Sequence, residues 1–277
     1  MAVPDPEIPS GDLARIADFV RARCGIDLDE TKGYLVESRW RHLCREYGGI
    51  TPLQLMQLAE GGDSELAKLM IEEISTKETS FFRDASPFEL LRSGMLRRLL
   101  EHATQEQRSL EIWSAACSTG QEVYSLAMTA VEVLTPAECA QIRITGADLS
   151  RAALSQATDA IYGDFELSRG VDESRRQRHF VKADKRWRVR DPLRSLVRFE
   201  KVNLIDLPPV MTRYDLIFCR NIATYFDISH RGQLFEALAR RLRPHGVLVL
   251  GATESLIGVT NEFVREREVN TTYYGHR

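Results

Sequence analysis

The sequence predicts an α/β protein whose main domain is built on a parallel sheet. Short β-rich runs alternate with helical segments after Ser109, residues 1–75 show helical periodicity alone, and a charged segment interrupts the alternation from residue 161. Because parallel strands need long crossover connections, this order places helices on both faces of the sheet. The expected architecture is a small helical amino-terminal domain, a covered sheet and a small insertion within it.

Residues 1–75 are predicted to form the all-helical domain. Apolar residues recur there at helical spacing. Glycines separate the periodic segments, and they are Gly25, Gly48, Gly49, Gly61 and Gly62. Thr51 followed by Pro52 is typical of a helix start, with a hydroxyl at the N-cap and a proline at the first helical position.

A basic helix is expected at residues 32–46 of this domain. Its charged residues are Lys32, Arg39, Arg41 and Arg45 against Glu37 and Glu46. One interpretation is an ordinary solvated face, and the other is a docking surface for an acidic helix. The sequence leaves both open.

The main domain is assigned to residues 110–277, after a linker and its first helix at 76–109. The predicted strands are LEIWSAA (110–116), IRITGA (142–147), LVRFEKVNL (196–204), YDLIFCR (214–220) and GVLVLGA (246–252). A helix is expected at 121–134 between the first two strands and another at 230–242 between the last two. The alternating tail FVREREVNTTYYGH predicts a closing antiparallel strand or hairpin.

Residues 161–195 are predicted to be a β-subdomain inserted at the rim of the sheet. The segment is too long and too charged for a simple connection, and HFVKADKRWRVRD predicts a hairpin around 182–185. Between Arg169 and Lys201 there are twelve lysines and arginines against five acids, a net charge of +7. A partner of acidic character is therefore expected there.

The composition argues against several classes of protein. The formal net charge is −3 over 277 residues, and no apolar run approaches the ~18 residues that a membrane span requires. The start MAVPDPEIPS lacks the regions of a secretory signal, so we expect a cytoplasmic protein that is not inserted in a membrane. The five cysteines have no CxxC spacing and the six histidines are scattered, so neither a disulfide framework nor a metal site is expected.

Candidate ligand-binding residues follow four of the predicted strands, where the crevice of an open parallel sheet lies. They are the turn ACSTGQE, then Asp148, then Asn203 with Leu204, and then Arg220 with Asn221. The turn could present backbone N–H groups to a polar ligand, and a carboxylate can accept hydrogen bonds from ribose hydroxyls. The alternatives are an ordinary turn, a helix N-cap at Asp148 or Ser150, and turn-forming asparagines.

Together these positions put a glycine, an acid and two amides at successive strand ends. That set suits an adenosine-containing ligand lying across the sheet. The pattern GxGxxG is absent, which argues against a pyrophosphate. S-adenosylmethionine therefore fits better than NAD.

A family resemblance is carried by ETSFFRDASPF, EIWSAACSTGQEVYSLAM, ITGADLS, VNL, YDLIFCRNIATYF and RPHGVLVLGATESL. These segments resemble the CheR chemotaxis receptor methyltransferases over nearly the whole chain. The resemblance implies a Rossmann-like class I S-adenosylmethionine-dependent methyltransferase sheet. It also implies methyl transfer to glutamate side chains in the cytoplasmic helical region of chemoreceptors during chemotaxis adaptation, with S-adenosylhomocysteine as the product.

The resemblance also implies roles for individual residues. The implied cofactor contacts are Thr79, Arg83, Glu122, Asp148, Asn203, Leu204, Arg220 and Asn221. Arg83 and Tyr225 would be the catalytic pair closest to the transferred methyl. Lys77 stands where many members have asparagine, so no contact is assigned to it. IAT replaces the usual bulky aliphatics of the CRN block, which is expected to change packing around Tyr225.

The inserted hairpin differs from part of the family. VKADKRWR lacks the glycine-rich loop of members that grip a pentapeptide at the carboxyl terminus of the receptor. The resemblance therefore implies a pentapeptide-independent enzyme, which we expect to be a monomer.

The chemistry requires alignment rather than a general base, because a glutamate carboxylate is already a nucleophile at neutral pH. Holding two reactants in line can supply ~7–11 kcal/mol of the barrier. The planar guanidinium of Arg83 suits the orientation of a carboxylate, and Tyr225 could add a hydrogen bond. Phe81 and Phe82 are expected to pack the linker between the two domains and to exclude water.

Two other functions fit the same residues. One is a non-catalytic S-adenosylmethionine-binding signalling module that contacts its partner through the insertion. The other is methyl transfer to another acidic protein or to nucleic acid, for which Trp187 and Phe199 are the stacking candidates in the basic insertion. The presence of both Arg83 and Tyr225 favours catalysis over a non-catalytic module, and no nucleic-acid partner is expected.

Overall fold

The computed structural model describes residues 8–277, which fall into two compact units. The smaller unit contains the described residues up to Thr76 together with Tyr225–His230. The larger unit contains Lys77–Thr224 and Arg231–Arg277. Residues 1–7 lie outside the described residues. They include the start of the predicted helical domain and most of the segment MAVPDPEIPS.

The smaller unit is helical. Its helices are α1 (Ser10–Cys24), α2 (Gly33–Glu46), α3 (Pro52–Glu60) and α4 (Ser64–Ile74), with a 3₁₀ turn at Glu30–Lys32. Trp40 is fully buried, packs edge-on against Phe19 and donates its Nε1 hydrogen to the Met70 carbonyl at 2.8 Å. Thr51 and Gln54 form a capping box at the start of α3, which confirms the helix start predicted there.

The basic residues near α2 divide into two kinds. Lys32 pairs with Asp29 at 3.1 Å, and Arg39 donates to the carbonyl of the residue after α4 at 2.8 Å. Arg41 and Arg45 are exposed. Lys32 and Arg39 therefore contribute to the structure of the helical unit itself.

Within residues 8–277, the larger unit has ten strands: β1 (Leu110–Ala115), β2 (Ile142–Asp148), β3 (Ile161–Tyr162), β4 (Phe180–Ala183), β5 (Arg186–Val189), β6 (Val197–Lys201), β7 (Tyr214–Cys219), β8 (Leu242–Leu250), β9 (Phe263–Glu268) and β10 (Thr271–His276). Seven form a sheet in the order β6-β2-β1-β7-β8-β10-β9. The first five are parallel, and β10 and β9 are antiparallel. All the predicted strands are present, and β9 and β10 are the predicted closing hairpin.

Helices alternate with these strands along the chain. They are α5 (Ser86–Leu90), α6 (Leu96–Gln105), α7 (Gln121–Val133), α8 (Pro136–Cys139), α9 (Arg151–Asp159), α10 (Asp164–Ser168), α11 (Glu173–His179), α12 (Asp191–Arg194) and α13 (Ile228–Arg241). A π turn at Leu91–Met95 joins α5 to α6. The predicted crossover helices correspond to α7 and α13. None of the helices described in residues 8–277 has the length and apolar character needed to cross a bilayer.

The last parallel strand differs from its predicted bounds. β8 begins at Leu242, well before residue 246, because Leu242 already pairs with Tyr214 of β7 ahead of a bulge. It ends at Leu250, so Gly251 belongs to the following loop rather than to the strand.

The carboxyl ends of the parallel strands meet at one edge of the sheet. Ala115 pairs with Ala147 on one side and with Cys219 on the other, and Cys219 pairs with Leu250. β6 ends beside β2 in the same way. The residues that follow these strands are therefore neighbours at what we call the carboxyl edge.

The insertion contains a second sheet in the order β3-β5-β4. Ala183 pairs with Arg186, so Asp184 and Lys185 form the whole connection between β4 and β5. This confirms the predicted hairpin. Phe180 of β4 belongs to the same buried core as the large sheet, so the insertion packs onto the larger unit.

Candidate functional site

Most of the predicted site residues lie in the larger unit. They are Thr79, Arg83, Glu122, Asp148, Asn203, Leu204, Arg220 and Asn221. Tyr225 belongs to the smaller unit, where its carbonyl accepts the Asp27 N–H at 2.7 Å and the adjacent Phe226 pairs with Ile26. The candidate site described below is therefore the carboxyl edge of the larger unit.

The guanidinium of Arg220 connects three segments at this edge. Its Nη1 donates to Glu122 Oε2 at 3.0 Å, and its Nη2 donates to the Arg83 carbonyl at 2.7 Å and to Asp84 Oδ2 at 2.8 Å. Glu122 also accepts a hydrogen bond from Ser114 Oγ at 2.8 Å. We call Arg220, Glu122, Asp84 and the Arg83 carbonyl the Arg220 cluster. It joins the end of β7, the start of α7 and the segment before α5.

Two carboxylates explain how a charged side chain can be buried here. The Arg220 side chain is only 1% exposed, and a charge so far from water must be paired and hydrogen-bonded. The rings of Phe88 and Phe218 lie beside the guanidinium, each centroid 5.9 Å from it. Arg220 Nε is buried and has no hydrogen-bond partner among residues 8–277. A buried donor in this state is suited to an acceptor atom of a ligand.

Asp148 ends β2 and organises the adjacent turns. Its Oδ2 accepts the Ser118 N–H at 2.8 Å, and its Oδ1 accepts the Ser150 N–H at 2.9 Å. Ser150 rather than Asp148 caps α9, so the interpretation of Asp148 as the N-cap is wrong. Burial raises the pKa of Asp148, while the neighbouring N–H groups and the charge of Lys77 act in the opposite direction. Each carboxylate oxygen retains a second lone pair that could accept a hydroxyl.

Two backbone N–H groups of the turn after β1 are already hydrogen-bonded within the protein. The Ser118 N–H is bound by Asp148, and the Gly120 N–H is bound by the Cys117 carbonyl at 3.1 Å. The expectation that the turn presents these N–H groups to a ligand is therefore wrong for both. Gly120 has φ 92°, and a Cβ on it would lie 2.8 Å from the Ala157 Cβ, so this glycine permits close packing on α9.

The segment after β6 forms a turn and lines a cavity. Asn203 Oδ1 accepts the Ile205 N–H at 3.3 Å, as expected of a turn-forming asparagine. Leu204 is buried and, with residues of α13, lines a cavity of about 560 Å³. Among the described residues, no other predicted site residue lines this cavity. Thr79, on the segment before α5, is half-buried.

Glu254, which the sequence reasoning missed, binds the loops after β7 and β8 together. Its carboxylate accepts three backbone N–H groups, from Asn221 at 2.7 Å, Gly251 at 2.8 Å and Ala223 at 2.9 Å. A signal was available, because Glu254 follows the fifth parallel strand just as the predicted residues follow the other four. Asp84 of the Arg220 cluster was also missed, and no pattern in the sequence connects it to Arg220.

Phe81 and Phe82 are buried by the insertion and α7. The Phe81 ring packs edge-on against Tyr162 and Phe180, with centroids 5.0 and 5.7 Å away. The Phe82 N–H donates to Ser125 Oγ at 2.9 Å. These partners differ from the expectation that the two rings pack an interdomain linker. The aromatic pair instead fixes the segment that carries Arg83 onto the larger unit.

Glu132 of α7 links the insertion to this segment. It accepts hydrogen bonds from Arg175 Nε at 2.8 Å and from Arg92 Nε at 3.2 Å. The Arg175 guanidinium also lies 4.2 Å above the Phe82 ring. Burial alone would raise the pKa of Glu132, but the adjacent His179 and Arg175 hold it well below its usual range. Glu132 is therefore ionised at neutral pH and pairs with both arginines.

A reactive cysteine and a metal site have little support at this edge. Burial raises the pKa of the Cys117 and Cys219 thiols well above the ordinary value, so both are neutral and poorly reactive at neutral pH. Across the described part of the chain, no group of three or more His, Cys, Asp or Glu is placed to hold a metal ion.

The groups at the carboxyl edge fit an adenosyl ligand. Asp148 offers acceptors for hydroxyls, and Arg220 Nε offers a buried donor. The Arg220 charge is already matched by Glu122 and Asp84, so it is not available to balance a pyrophosphate. The donor set thus suits a nucleoside without phosphates.

Comparison with known proteins gives a consistent result. The family model described as CheR methyltransferase, SAM binding domain matches residues 77–272, and that of the CheR methyltransferase all-alpha domain matches 11–75. The chain is 37% identical over 250 residues to a chemotaxis protein methyltransferase of Vibrio anguillarum, covering 88% of this chain and 89% of that protein. It is 35% identical over 259 residues to chemotaxis protein methyltransferase 1 of Pseudomonas aeruginosa, covering 92% and 93%.

Replacing Glu132 should loosen the insertion. Glu132→Ala leaves two partly buried arginines without their shared carboxylate, and we expect the free energy of unfolding to fall by about 2–3 kcal/mol. Hydrogen exchange should show faster exchange in residues 161–195 and around Phe81. The matched control is Glu101→Ala, which removes an exposed carboxylate from α6 and should change neither. Unchanged protection of the insertion in Glu132→Ala would contradict this account.

Proposed function

Because this chain belongs to the CheR methyltransferase family, we propose that it transfers a methyl group from S-adenosylmethionine to glutamate side chains of methyl-accepting chemotaxis receptors. The products would be glutamyl methyl esters and S-adenosylhomocysteine. The observation that carries the proposal is the Arg220 cluster, in which one buried guanidinium joins the strand-end residues to the segment presenting Arg83. A cofactor seated on those strand ends and a substrate held by Arg83 would then share one rigid support.

The proposed cofactor contacts are Thr79, Arg83, Glu122, Asp148, Asn203, Leu204, Arg220 and Asn221. The cofactor supplies a methyl group bonded to a positively charged sulfur, which needs no further activation. Asp148 would accept ribose hydroxyls with its remaining lone pairs, and Leu204 would contribute apolar surface. Arg220 Nε would gain the partner that it lacks among the described residues.

Arg83 is the proposed group that orients the substrate carboxylate. Its backbone is fixed by Arg220, while its side chain is partly exposed and donates one Nη1 hydrogen bond, at 3.2 Å, to the Glu78 carbonyl. A guanidinium has five N–H donors, so several remain for a carboxylate. Tyr225 is proposed, from the family resemblance, as a second hydrogen-bonding partner of the reacting group.

The contacts of the insertion favour a protein substrate over nucleic acid. Basic residues that form ion pairs within the described structure are Arg169, Arg175, Arg176, Arg186, Arg188, Arg194 and Arg198. The Trp187 ring already carries the Lys182 ammonium at 4.4 Å, and Phe199 packs against Tyr124. The two rings that could stack on bases are therefore engaged inside the protein.

We also propose that the enzyme does not require a receptor pentapeptide. Asp184 and Lys185 form the entire β4–β5 connection, since Ala183 pairs directly with Arg186. A two-residue turn has no free loop that could close over a bound peptide. The receptor would then be recognised through its methylated helices.

Replacing Arg83 should separate catalysis from cofactor binding. Arg83→Ala removes the guanidinium but keeps the carbonyl that Arg220 binds, so methyl transfer should fall by at least about 100-fold. The affinity for S-adenosylhomocysteine should fall far less, because the other proposed cofactor contacts remain. The assay measures radiolabel transferred from S-adenosylmethionine to receptor-containing membranes from the protein's own source, and calorimetry measures binding.

The controls for this experiment address both the residue and the substrate. Arg83→Lys keeps the charge without the planar fork and should remain impaired. Arg267→Ala removes an exposed arginine of β9 and should behave as wild type. The expected label is base-labile and runs with a receptor-sized band after nuclease treatment. Normal transfer by Arg83→Ala would argue against the proposed role of Arg83. Label on RNA or DNA would argue against the proposed function.

Receptor truncation tests the pentapeptide proposal. Cytoplasmic receptor fragments with and without their last five residues should be methylated at equal initial rates, because the short β4–β5 turn offers no peptide clamp. A markedly slower rate for the shortened fragment alone would show that the terminal residues are bound.

A further inference from the structure

We infer that Glu254 is a positioning residue for cofactor binding, because it holds the loop after β7 in the conformation that presents Asn221. The inference deepens the proposed function and rests on it, since Asn221 is one of the proposed cofactor contacts. Glu254 lies on a different loop, after β8, and acts through the backbone of Asn221 rather than by touching the cofactor.

Three hydrogen bonds converge on the Glu254 carboxylate. The Asn221 N–H and the Gly251 N–H both donate to Oε2, at 2.7 and 2.8 Å, and the Ala223 N–H donates to Oε1 at 2.9 Å. Hydrogen bonds to an ionised acceptor are shorter and roughly twice as strong as neutral ones. The carboxylate therefore binds two N–H groups of one loop and one of the other, and it fixes the two loops to each other.

The backbone of Asn221 requires such support. Its φ is 57°, in the left-handed region that residues with a Cβ adopt at a cost. Asparagine tolerates this conformation better than most residues, but the chain holds it reliably only where its surroundings select it. In this loop the left-handed turn directs the N–H groups of Asn221 and Ala223 towards the same carboxylate. Glu254 thus selects the conformation that places the Asn221 amide.

Gly251 lies directly against the Asn221 side chain. A Cβ on Gly251 would lie 2.7 Å from Asn221 Nδ2 and 2.8 Å from Glu254 Oε2, closer than real contacts allow. The Glu254 N–H donates to the Gly251 carbonyl at 3.0 Å, which closes a turn around this contact. The loop after β8 is therefore shaped against the Asn221 amide as well as against its backbone.

Glutamine should not replace Glu254, although it has the same size. An amide has one acceptor oxygen, and its NH₂ group would face a backbone N–H that also needs an acceptor. We expect Glu254→Gln to weaken S-adenosylhomocysteine binding by about tenfold, the loss typical of one hydrogen bond to a charged group. Calorimetric titration of the full chain with S-adenosylhomocysteine measures the dissociation constant.

A double-variant cycle separates positioning from general stability. If Glu254 acts through Asn221, the double variant Glu254→Gln/Asn221→Ala should bind no more weakly than Asn221→Ala alone. If the loss of affinity in the double variant equals the product of the two single-variant losses, Glu254 acts independently of Asn221, and the inference is overturned. A purely structural role predicts such independent losses, so the cycle distinguishes the two.

Two further variants keep the test decisive. Gly251→Ala crowds the Asn221 amide without changing any charge, so it should also weaken binding, and it serves in place of Glu254→Gln if that protein does not fold. Glu262→Gln removes an exposed carboxylate and should bind as wild type. The inference is overturned if Asn221→Ala binds more weakly but folded Glu254→Gln or Gly251→Ala binds with wild-type affinity. That result would leave the proposed function unaffected. Failure of the wild-type chain to bind S-adenosylhomocysteine overturns the proposed function and this inference with it.

Discussion

The burial of the Arg220 guanidinium is the constraint on which the candidate site depends. A charge that is 1% exposed is tolerated only because Glu122 and Asp84 neutralise it and the Arg83 carbonyl accepts from it. These partners come from α7 and from the segment before α5, while Arg220 itself follows β7. One side chain therefore sets the relative positions of three segments, and the strand-end residues and the Arg83 backbone share its support.

The remaining contacts reinforce this arrangement from two sides. On one side the insertion buries Phe81 and Phe82, and Glu132 holds Arg175 over the Phe82 ring. On the other side Glu254 fixes the loop that begins at Asn221, directly after Arg220. The two phenylalanines of the FFR segment thus hold the backbone in place. Their rings anchor a short stretch of backbone, and the next residue carries the guanidinium proposed to meet the substrate.

The sequence predicted the strands and the strand-end residues because both follow from local patterns. Alternating β-rich and helical runs required a parallel sheet, and the crevice rule directed attention to Asp148 and Asn203. The sequence did not predict contacts between residues that are distant along the chain. Neither Asp84 with Arg220 nor Glu254 with Asn221 forms a pattern. The choice between Asp148 and Ser150 as the cap of α9 also required the structure.

The most direct test of the role of Arg220 is a substitution that keeps the buried positive charge and removes the planar guanidinium. Arg220→Lys retains a cation between Glu122 and Asp84, but a single ammonium cannot reproduce the planar fork that reaches three partners at once. We predict that the folded variant, checked by circular dichroism, loses S-adenosylhomocysteine affinity and methyl transfer together. Wild-type affinity and transfer in a folded Arg220→Lys protein would contradict the account.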